Sequence, residues 1–303
     1  MRAQPRISAV IATLNEGPRL ESTVEGLRST LPPGSDIVVV DDGSADNSLA
    51  FLDRSPQGVK RISLEHAGAP RARNAGAAHA AGDILVFSDA HMSFPRGWWE
   101  PLVEALENGS VAAAAPAVAD IDDSSCIGYG MSLPAPDLTA NWLLRAASRP
   151  YSVPILPGAC WAMRREVFQR TGGFDEGILR WGSEDVEFSI RLWLLGYELR
   201  IVPEVAVGHW FRESGEDRPY PVEWSWVQHN KLRVAFVHFS QARRWMVARA
   251  LKKEEGFSAG FQLALNDSLV ARRQQLGRLR AHDDDWFFQK FAIHWEQETN
   301  LDK

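Results

Sequence analysis

The sequence is poor in cysteine and has no long apolar stretch. Its 303 residues include two cysteines, Cys126 and Cys160, which are too few for a disulfide framework and match no zinc-site spacing. No apolar run reaches the roughly 20 residues that span a bilayer, and no signal peptide precedes the first strand-like segment. We therefore expect a cytoplasmic protein with two reduced thiols, and leave a peripheral membrane contact open.

Excess positive charge and glycine-rich phosphate loops are also missing. The chain has 33 Lys and Arg against 39 Asp and Glu, a net charge of −6, which argues against a nucleic-acid partner. Neither G-x-G-x-x-G nor G-x-x-x-x-G-K occurs, which disfavours a nucleotidyltransferase. The remaining composition, 45% hydrophobic and 24% charged, is that of an ordinary globular protein.

Apolar and helical segments alternate along the first half of the chain. Strands are predicted at 7–13, 36–40, 60–64, 84–88 and 111–116, and helices at 19–31, 45–54, 70–81 and 98–107. Such alternation indicates βαβ units and predicts an α/β fold with a mainly parallel sheet flanked by helices. Ligands of such sheets bind beyond the carboxyl ends of the strands.

The second half has a less regular pattern. Residues 117–152 form a long excursion in which a short helix is expected near 138–147. A strand at 159–163, helices at 165–171 and 184–195, and a strand at 199–202 follow. Helices are then predicted at 222–238, 241–253, 257–281 and 285–298. We expect a catalytic domain over 1–220 and a helical extension over 221–303.

Two polar clusters follow predicted strands. Asp41-Asp42-Gly43-Ser44 offers carboxylates to a base or ribose, and the alternative is an Asp-Gly turn that caps the next helix. In Asp89-Ala90-His91 the carboxylate and the imidazole point the same way on an extended strand, so both can hold one divalent cation. The alternative is a solvated strand end.

Two further clusters lie in the second half. Glu184 and Asp185 open a helix, where the macrodipole favours acids, and one of them is a candidate general base. Glu187 and Arg191, one turn further on, are interpreted as a surface ion pair. His209 follows a strand-like segment and could complete a metal site with Asp89 and His91.

Four motifs together resemble the family 2 glycosyltransferases of GT-A fold. They are Ser8–Glu16, Asp41–Ser44, Ala72–Gly76 and Asp89–His91. Three later motifs, Gly172–Glu176, Trp181–Asp185 and Gly208–Arg212, are similar to those of the polypeptide N-acetylgalactosaminyltransferases and their bacterial relatives. The resemblance covers roughly residues 5–215 and implies transfer of a sugar, most simply from a UDP-sugar, with Mn²⁺ or Mg²⁺.

The resemblance implies a role for each matching residue. Asp185 would be the base, and Glu184 beside it would hold the donor or the acceptor. The metal ligands would be Asp89, His91 and His209. The nucleotide-sugar would contact Thr13, Glu16, Asp41, Asp42, Arg73, Asp89, Ala90 and Trp181.

The sequence departs from the polypeptide-modifying enzymes at one catalytic position and in its C-terminal part. Those enzymes have Glu-Asn where this chain has Glu184-Asp185, so inversion is expected here, with a retaining polypeptide-type enzyme as an alternative. A second alternative is an inactive nucleotide-sugar-binding or scaffold protein. Residues 222–303 are too short for a lectin domain, and a homodimer through these helices is left open. The acceptor, a small molecule, a glycan or a peptide, is not specified.

Overall fold

A ten-stranded mixed β-sheet forms the centre of the protein. The structure, a computed structural model, describes residues 5–54, 58–145, 147–212 and 220–295. The strands are β1 (Ile7–Thr13), β2 (Asp36–Asp41), β3 (Val59–Ser63), β4 (Ile84–Ser88), β5 (Met92–Ser93), β6 (Val111–Asp120), β7 (Ile127–Gly128), β8 (Met131–Ser132), β9 (Asn141–Trp142), β10 (Tyr151–Ser152), β11 (Cys160–Arg164) and β12 (Glu198–His209).

Helices flank this sheet and make up most of the C-terminal part. They are α1 (Pro18–Thr30), α2 (Ala69–His79), α3 (Glu100–Leu106), α4 (Arg165–Thr171), α5 (Glu184–Leu194), α6 (Trp224–His238), α7 (Gln241–Leu251), α8 (Phe257–Ala264), α9 (Asp267–Leu279) and α10 (Asp284–Lys290). Both α1 and α2 have a proline in the first turn, where its fixed φ suits a helix and its missing N–H costs nothing.

The strand order explains how distant segments reach one edge of the sheet. The main path is β10-β12-β6-β11-β4-β1-β2-β3. Strands β3, β2, β1 and β4 are parallel, β11 runs antiparallel to both β4 and β6, and β12 is parallel to β6. The carboxyl ends of β1, β2, β4 and β12 therefore lie at the same edge, and the predicted α/β class is confirmed.

The structure corrects several predicted elements. The expected helix near 138–147 does not form among its described residues, where β9 pairs with β8 instead. The helix predicted at 45–54 is a single 3₁₀ turn, Ala50–Asp53. The helix predicted at 257–281 is divided into α8 and α9, because the Asn266 side chain accepts a hydrogen bond from Leu269 N (3.0 Å) and caps a new helix.

The last predicted helix and the last predicted strand have different limits in the structure. Helix α10 ends at Lys290, whereas the prediction ran to 298, and residues 296–298 lie outside the described ranges. Strand β12 continues from the predicted 199–202 to His209. This longer strand carries His209 to the same edge as β4.

The core has two main parts, one on each face of the sheet. Alternate residues of β1 divide between them: Val10 packs in one cluster, and Ile7, Ala9 and Ile11 pack in the other. The first cluster also contains Leu232 of α6, so the C-terminal helices share the core of the sheet. In the part of the chain that the structure describes, no helix combines the length and apolarity needed to cross a bilayer.

Candidate active site

A cavity of about 830 Å³ opens at the carboxyl edge of the sheet. It lies beyond the ends of β1, β2, β4 and β12, where parallel sheets bind their ligands. Ten of the predicted site residues line it: Thr13, Glu16, Asp42, Arg73, Asp89, Ala90, His91, Trp181, Glu184 and His209. The other two, Asp41 and Asp185, are not among the lining residues.

Three potential metal ligands converge at one end of this cavity. One ligand atom from each of Asp89, His91 and His209 lies within 4.8 Å of the other two. His91 Nε2 is 3.2 Å from His209 Nε2, and His209 Nε2 is 3.5 Å from Asp89 Oδ2. Pairing of His209 with Met92 in the sheet, and the hydrogen bond from Trp210 N to His91 O, bring the two histidines together across 118 residues.

Glu16 lies behind this cluster and orients one of its histidines. Its carboxylate is 3.0 Å from His91 Nδ1 and accepts hydrogen bonds from Arg212 Nη2 at 3.1 and 3.2 Å. A carboxylate on Nδ1 favours the tautomer that leaves Nε2 free to bind a metal. Glu16 therefore positions His91, and its predicted contact with the nucleotide stays a prediction.

Arg73 connects the potential metal ligands to the acids of α5. Its guanidinium donates to Asp89 Oδ1 (3.0 Å) and to Glu184 Oε1 (2.9 Å), and its side chain is 6% exposed. Burial by itself would raise the pKa of Asp89, but hydrogen bonding to His209 and the charge of Arg73 outweigh it and hold that pKa below its ordinary value. Asp89 is therefore a carboxylate near neutral pH.

The two acids of α5 have different environments. Glu184 is buried, pairs with Arg73, and accepts a hydrogen bond from Gly182 N (2.9 Å). Asp185 lies against Gly158, where an added Cβ would be 3.3 Å from Asp185 Oδ2. Burial and the adjacent charge of Glu184 raise the pKa of Asp185 to about 7. This pKa is in the range that suits a general base, although Asp185 is not among the residues that line the cavity.

The two aspartates at the end of β2 are not equivalent. Asp42 lines the cavity and its carboxylate accepts hydrogen bonds from the backbone of Ala67 (2.5 Å) and Gly68 (2.8 Å). Asp41 accepts from Ser44 N (2.9 Å) and pairs with Arg61 (3.4 Å). Asp41 thus holds the turn, but it does not cap the next helical element, which begins after Leu49 without a side-chain cap. The predicted uridine contact of Asp41 stays a prediction.

Thr13 and Trp181 lie at two other parts of the cavity wall. The Thr13 hydroxyl is buried and has no hydrogen-bond partner among the described residues. The Trp181 ring is 41% exposed, and its centroid is 6.4 Å from that of Tyr220. Both residues line the cavity, and their predicted contacts with a nucleotide-sugar stay predictions.

Sequence reasoning gave no role to several other lining residues. Arg212 was part of a quoted motif, but its pairing with Glu16 spans 196 residues and leaves no local pattern. The Arg19 guanidinium lies 3.4 Å from the ring centroid of Trp210, a cation–π contact between α1 and the end of β12. Trp226 of α6 also lines the cavity, beside Arg180.

The donor atoms of the cluster suit a divalent cation such as Mn²⁺ or Mg²⁺. One carboxylate and two imidazoles form a mixed oxygen and nitrogen set, and the carboxylate behind His91 is a common feature of metal sites. His209 Nδ1 is buried without a hydrogen-bond partner, so nothing in the described structure competes for the orientation of this ring. The residues present therefore fit the expected metal.

Two family models match the chain. The model described as glycosyl transferase family 2 matches residues 8–172, which is more than half of the 303 residues. The model described as the N-terminal domain of galactosyltransferase matches residues 143–212. Together the two matches include Asp89, His91 and His209, the three potential metal ligands.

Curated relatives carry the names of N-acetylgalactosaminyltransferases. Polypeptide N-acetylgalactosaminyltransferase 11 of Xenopus tropicalis is 33% identical over 260 residues, which are 77% of this chain and 42% of that protein. Polypeptide N-acetylgalactosaminyltransferase 8 of Drosophila melanogaster is 34% identical over 237 residues, 71% of this chain and 39% of that protein. The chain thus spans about two fifths of the length of these relatives.

Solved structures share the fold over nearly the whole chain. The structure of GalNAc-T7 with UDP, GalNAc and Mn²⁺ has a TM-score of 0.77 at 24% identity, over 96% of this chain and 57% of that one. The mannosyltransferase PcManGT from Pyrobaculum calidifontis, in complex with GDP-Man and Mn²⁺, has a TM-score of 0.56 at 18% identity, over 96% and 88%. With the family match over residues 8–172, the chain belongs to glycosyl transferase family 2.

Proposed function

We propose that this protein is a metal-dependent glycosyltransferase that takes a sugar from a UDP-sugar and transfers it to an acceptor hydroxyl or other nucleophile. The observation that carries the proposal is the convergence of Asp89, His91 and His209 at one end of the 830 Å³ cavity. The names of the curated relatives and the UDP and Mn²⁺ in GalNAc-T7 support the choice of donor and metal.

The metal would be held by Asp89, His91 and His209, and when bound it would offset the negative charge that develops on a nucleoside diphosphate leaving group. Arg73, buried beside Asp89, would add a fixed positive charge at the same place. Glu16 would keep the His91 ring in one orientation. These groups are arranged before the substrate arrives, so little reorganisation would accompany the reaction.

The uridine would bind beyond the ends of β1 and β2. Thr13 offers an unpartnered buried hydroxyl, and Asp42 offers a carboxylate held in place by two backbone N–H groups. Trp181 would flank the sugar with its exposed ring. This arrangement separates nucleotide recognition at β1 and β2 from phosphate recognition at β4 and β12.

Asp185 would act as the general base, which leads us to propose an inverting reaction. The Glu184 carboxylate is occupied by Arg73 and Gly182, whereas the Asp185 Oδ1 accepts the backbone N–H of Val186 (2.8 Å) and its Oδ2 faces Gly158. A pKa of about 7 lets Asp185 both take a proton and exist partly ionised near neutral pH. A retaining outcome would be revealed by the anomeric configuration of the product.

The acceptor would be a small molecule, a glycan or a peptide.

Several basic side chains of the helical extension have partners within the protein. Of the basic residues in the extension, Arg273 and Arg280 donate to backbone carbonyls at the end of α6, and Arg243 pairs with Asp284. These three arginines therefore have partners within the protein. The membrane contact and the homodimer stay predictions.

A thermal-shift panel tests the proposed donor and metal. Nucleoside diphosphates and nucleotide-sugars would be added with and without Mn²⁺, because a ligand of the native state raises the melting temperature by mass action. We expect UDP and one UDP-sugar to stabilise the protein only with the metal. If no nucleotide stabilises it with any divalent cation, the proposal fails and the inactive scaffold becomes the better interpretation.

A further inference from the structure

Asn230 of α6 is buried against the loop that leads to the acids of α5. Its side chain is fully buried, and its Nδ2 faces three backbone carbonyls, those of Leu179 (2.8 Å), Trp181 (3.1 Å) and Gly182 (3.0 Å). Its Oδ1 accepts the backbone N–H of Leu179 at 2.8 Å. Three carbonyls can only be matched by the nitrogen of the amide, so these partners fix its orientation.

The loop that Asn230 holds has an unusual backbone. Arg180, Gly182 and Ser183 have φ values of 51°, 97° and 67°, and left-handed conformations are unfavourable for arginine and serine. Such a conformation persists only where surrounding contacts impose it. Asn230 supplies those contacts from one side, and the hydrogen bond from Ala69 N to Arg180 O (2.7 Å) supplies one from the other.

A continuous path of hydrogen bonds runs from Asn230 to the proposed metal site. Gly182 accepts from Asn230 with its carbonyl and donates with its N–H to Glu184 Oε2 (2.9 Å). Glu184 pairs with Arg73 (2.9 Å), and Arg73 pairs with Asp89 (3.0 Å). Each of these hydrogen bonds has a normal length. Because Gly182 contacts Glu184, a shift of the loop would move the Glu184 side chain, which lines the cavity.

Two more buried polar contacts hold α6 to the same segment. Arg233 donates to both oxygens of Asp175 (2.8 and 3.0 Å), four residues before Leu179. His238 Nε2 is 2.9 Å from Glu187 Oε1, on α5. The face of α6 that carries Asn230, Arg233 and His238 thus contacts residues before, within and after the loop.

We infer that Asn230 is a positioning residue for the proposed transfer, fixing the backbone of residues 179–182 so that Trp181 and Glu184 face the bound donor. The inference rests on the proposed function for its kinetic consequences. It also gives the helical extension a part in catalysis, because α6 would complete the active site from outside the segments that bear the family motifs.

Hydrogen exchange tests the structural half of the inference without any substrate. In Asn230→Ala, the amide of Leu179 loses its acceptor, and we expect exchange in residues 179–183 to become about tenfold faster or more. Val234→Ala is the matched control, since Val234 is equally buried on α6 and packs in the apolar core. Unchanged protection of Leu179 in Asn230→Ala, or an equal loss in the control, would overturn the inference.

Kinetics test the functional half. We expect Asn230→Ala to lower turnover about 10- to 100-fold, the scale of a displaced catalytic group, while the Kd of UDP with Mn²⁺ stays within about threefold. Val234→Ala should retain turnover within about twofold at a comparable loss of melting temperature. Equal turnover of the two variants would count against a positioning role for Asn230.

The two proposals fail in different ways. If the parent protein binds no UDP with any metal and transfers no sugar, the proposed function is wrong, and the exchange experiment still decides whether Asn230 fixes the loop. If the parent is active and Asn230→Ala is as active as Val234→Ala, the proposed function stands and the role of Asn230 is wrong.

Discussion

At the scale of single residues, the proposed binding of a metal depends on Asp89, His91 and His209 together. Each has an ordinary structural interpretation when taken alone, as a strand end or an isolated histidine. Their ligand atoms lie within 4.8 Å of one another, and Glu16 supports His91 from behind. The proposed metal site depends on all three side chains, so losing one ligand should remove most of its affinity for the metal.

We therefore expect His209→Ala to abolish the Mn²⁺-dependent binding of UDP while the fold persists. Two ligands remain, and no other described side chain completes the cluster. Isothermal titration calorimetry with UDP, in Mn²⁺ and in EDTA, measures the effect. His79→Ala, at an exposed position on α2, is the control and should bind as the parent does. Parent-like affinity of His209→Ala would show that His209 is not a ligand.

Asp185 leads to a prediction about pH. Its pKa is raised to about 7, and a base works only when deprotonated, so turnover at saturating donor should fall as the pH falls below about 7. Asp185→Asn should keep the donor affinity and lose about 100-fold or more in turnover, because general base catalysis contributes about 10²–10⁴-fold. Near-parent turnover of this variant would exclude Asp185 as the base.

At the scale of elements, α5 is held by charges that were expected on the surface. Glu187 and Arg191 were interpreted as an exposed pair, but both side chains are 1% exposed. Arg191 also donates to the carbonyls of Thr171 (2.7 Å) and Gly173 (2.5 Å), and His238 contacts Glu187 from α6. The pair connects α5 to α4 and α6 because it is buried between them.

Glu187→Gln should destabilise the protein by about 3 kcal/mol, since breaking a buried pair leaves an uncompensated charge. Burial would raise the pKa of Glu187, but Arg191 and His238 hold it below the ordinary value of 4.5. The contribution of ionised Glu187 to the free energy of unfolding is therefore complete above pH 4.5 and is lost as the pH falls further. Urea unfolding at several pH values measures both effects. Glu166→Gln, at a 67% exposed side chain, should change stability by less than about 1 kcal/mol.

Gly68, which precedes α2, makes a close approach that no other residue type allows. Its φ is +92°, and an added Cβ would lie 2.7 Å from Arg180 Cα. Gly34 has a similar φ of +85° with no atom within 4 Å of that position. Both Gly→Ala variants should lose about 1 kcal/mol or more to left-handed strain. Only Gly68→Ala should also weaken UDP binding with Mn²⁺, because it displaces the Arg180 loop. Equal binding by both variants would contradict this.

At the scale of the whole molecule, the predicted division into residues 1–220 and 221–303 stays a prediction. The structure shows a shared core: Leu232, Val234 and Ala235 of α6 are fully buried in the cluster that also contains Phe87 of β4. The buried Arg233–Asp175 pair joins the same two parts. We therefore expect the extension and the sheet to unfold together.

A chain ending at residue 220 should not fold cooperatively. It would expose the apolar surface that α6 covers and leave Asp175 without its buried partner. Near-ultraviolet circular dichroism and scanning calorimetry, compared with the full chain, measure this. A cooperative transition in the shortened chain would support the division into two independent domains.

The sequence by itself determined the fold class and which polar motifs gather at one edge of the sheet. Alternating strands and helices predicted an α/β sheet, and motifs that follow strands predicted that Asp42, Asp89 and His91 would lie near that edge, because the carboxyl ends of parallel strands meet. Asp89 and His91 lie between β4 and β5 and not on the extended strand that the sequence predicted. His209 was assigned to this group from its position after a predicted strand and from the resemblance, and the extended β12 brings it there.

Only the tertiary structure decided how residues that look alike in the sequence differ in burial and in their contacts. Asp41 holds a turn while the adjacent Asp42 lines the cavity, and Glu187–Arg191 is buried although its spacing is that of a surface pair. Asn230 has no motif around it, yet it holds a loop about 50 residues away in the chain. These distinctions depend on burial and on contacts between distant segments, which a local pattern does not contain.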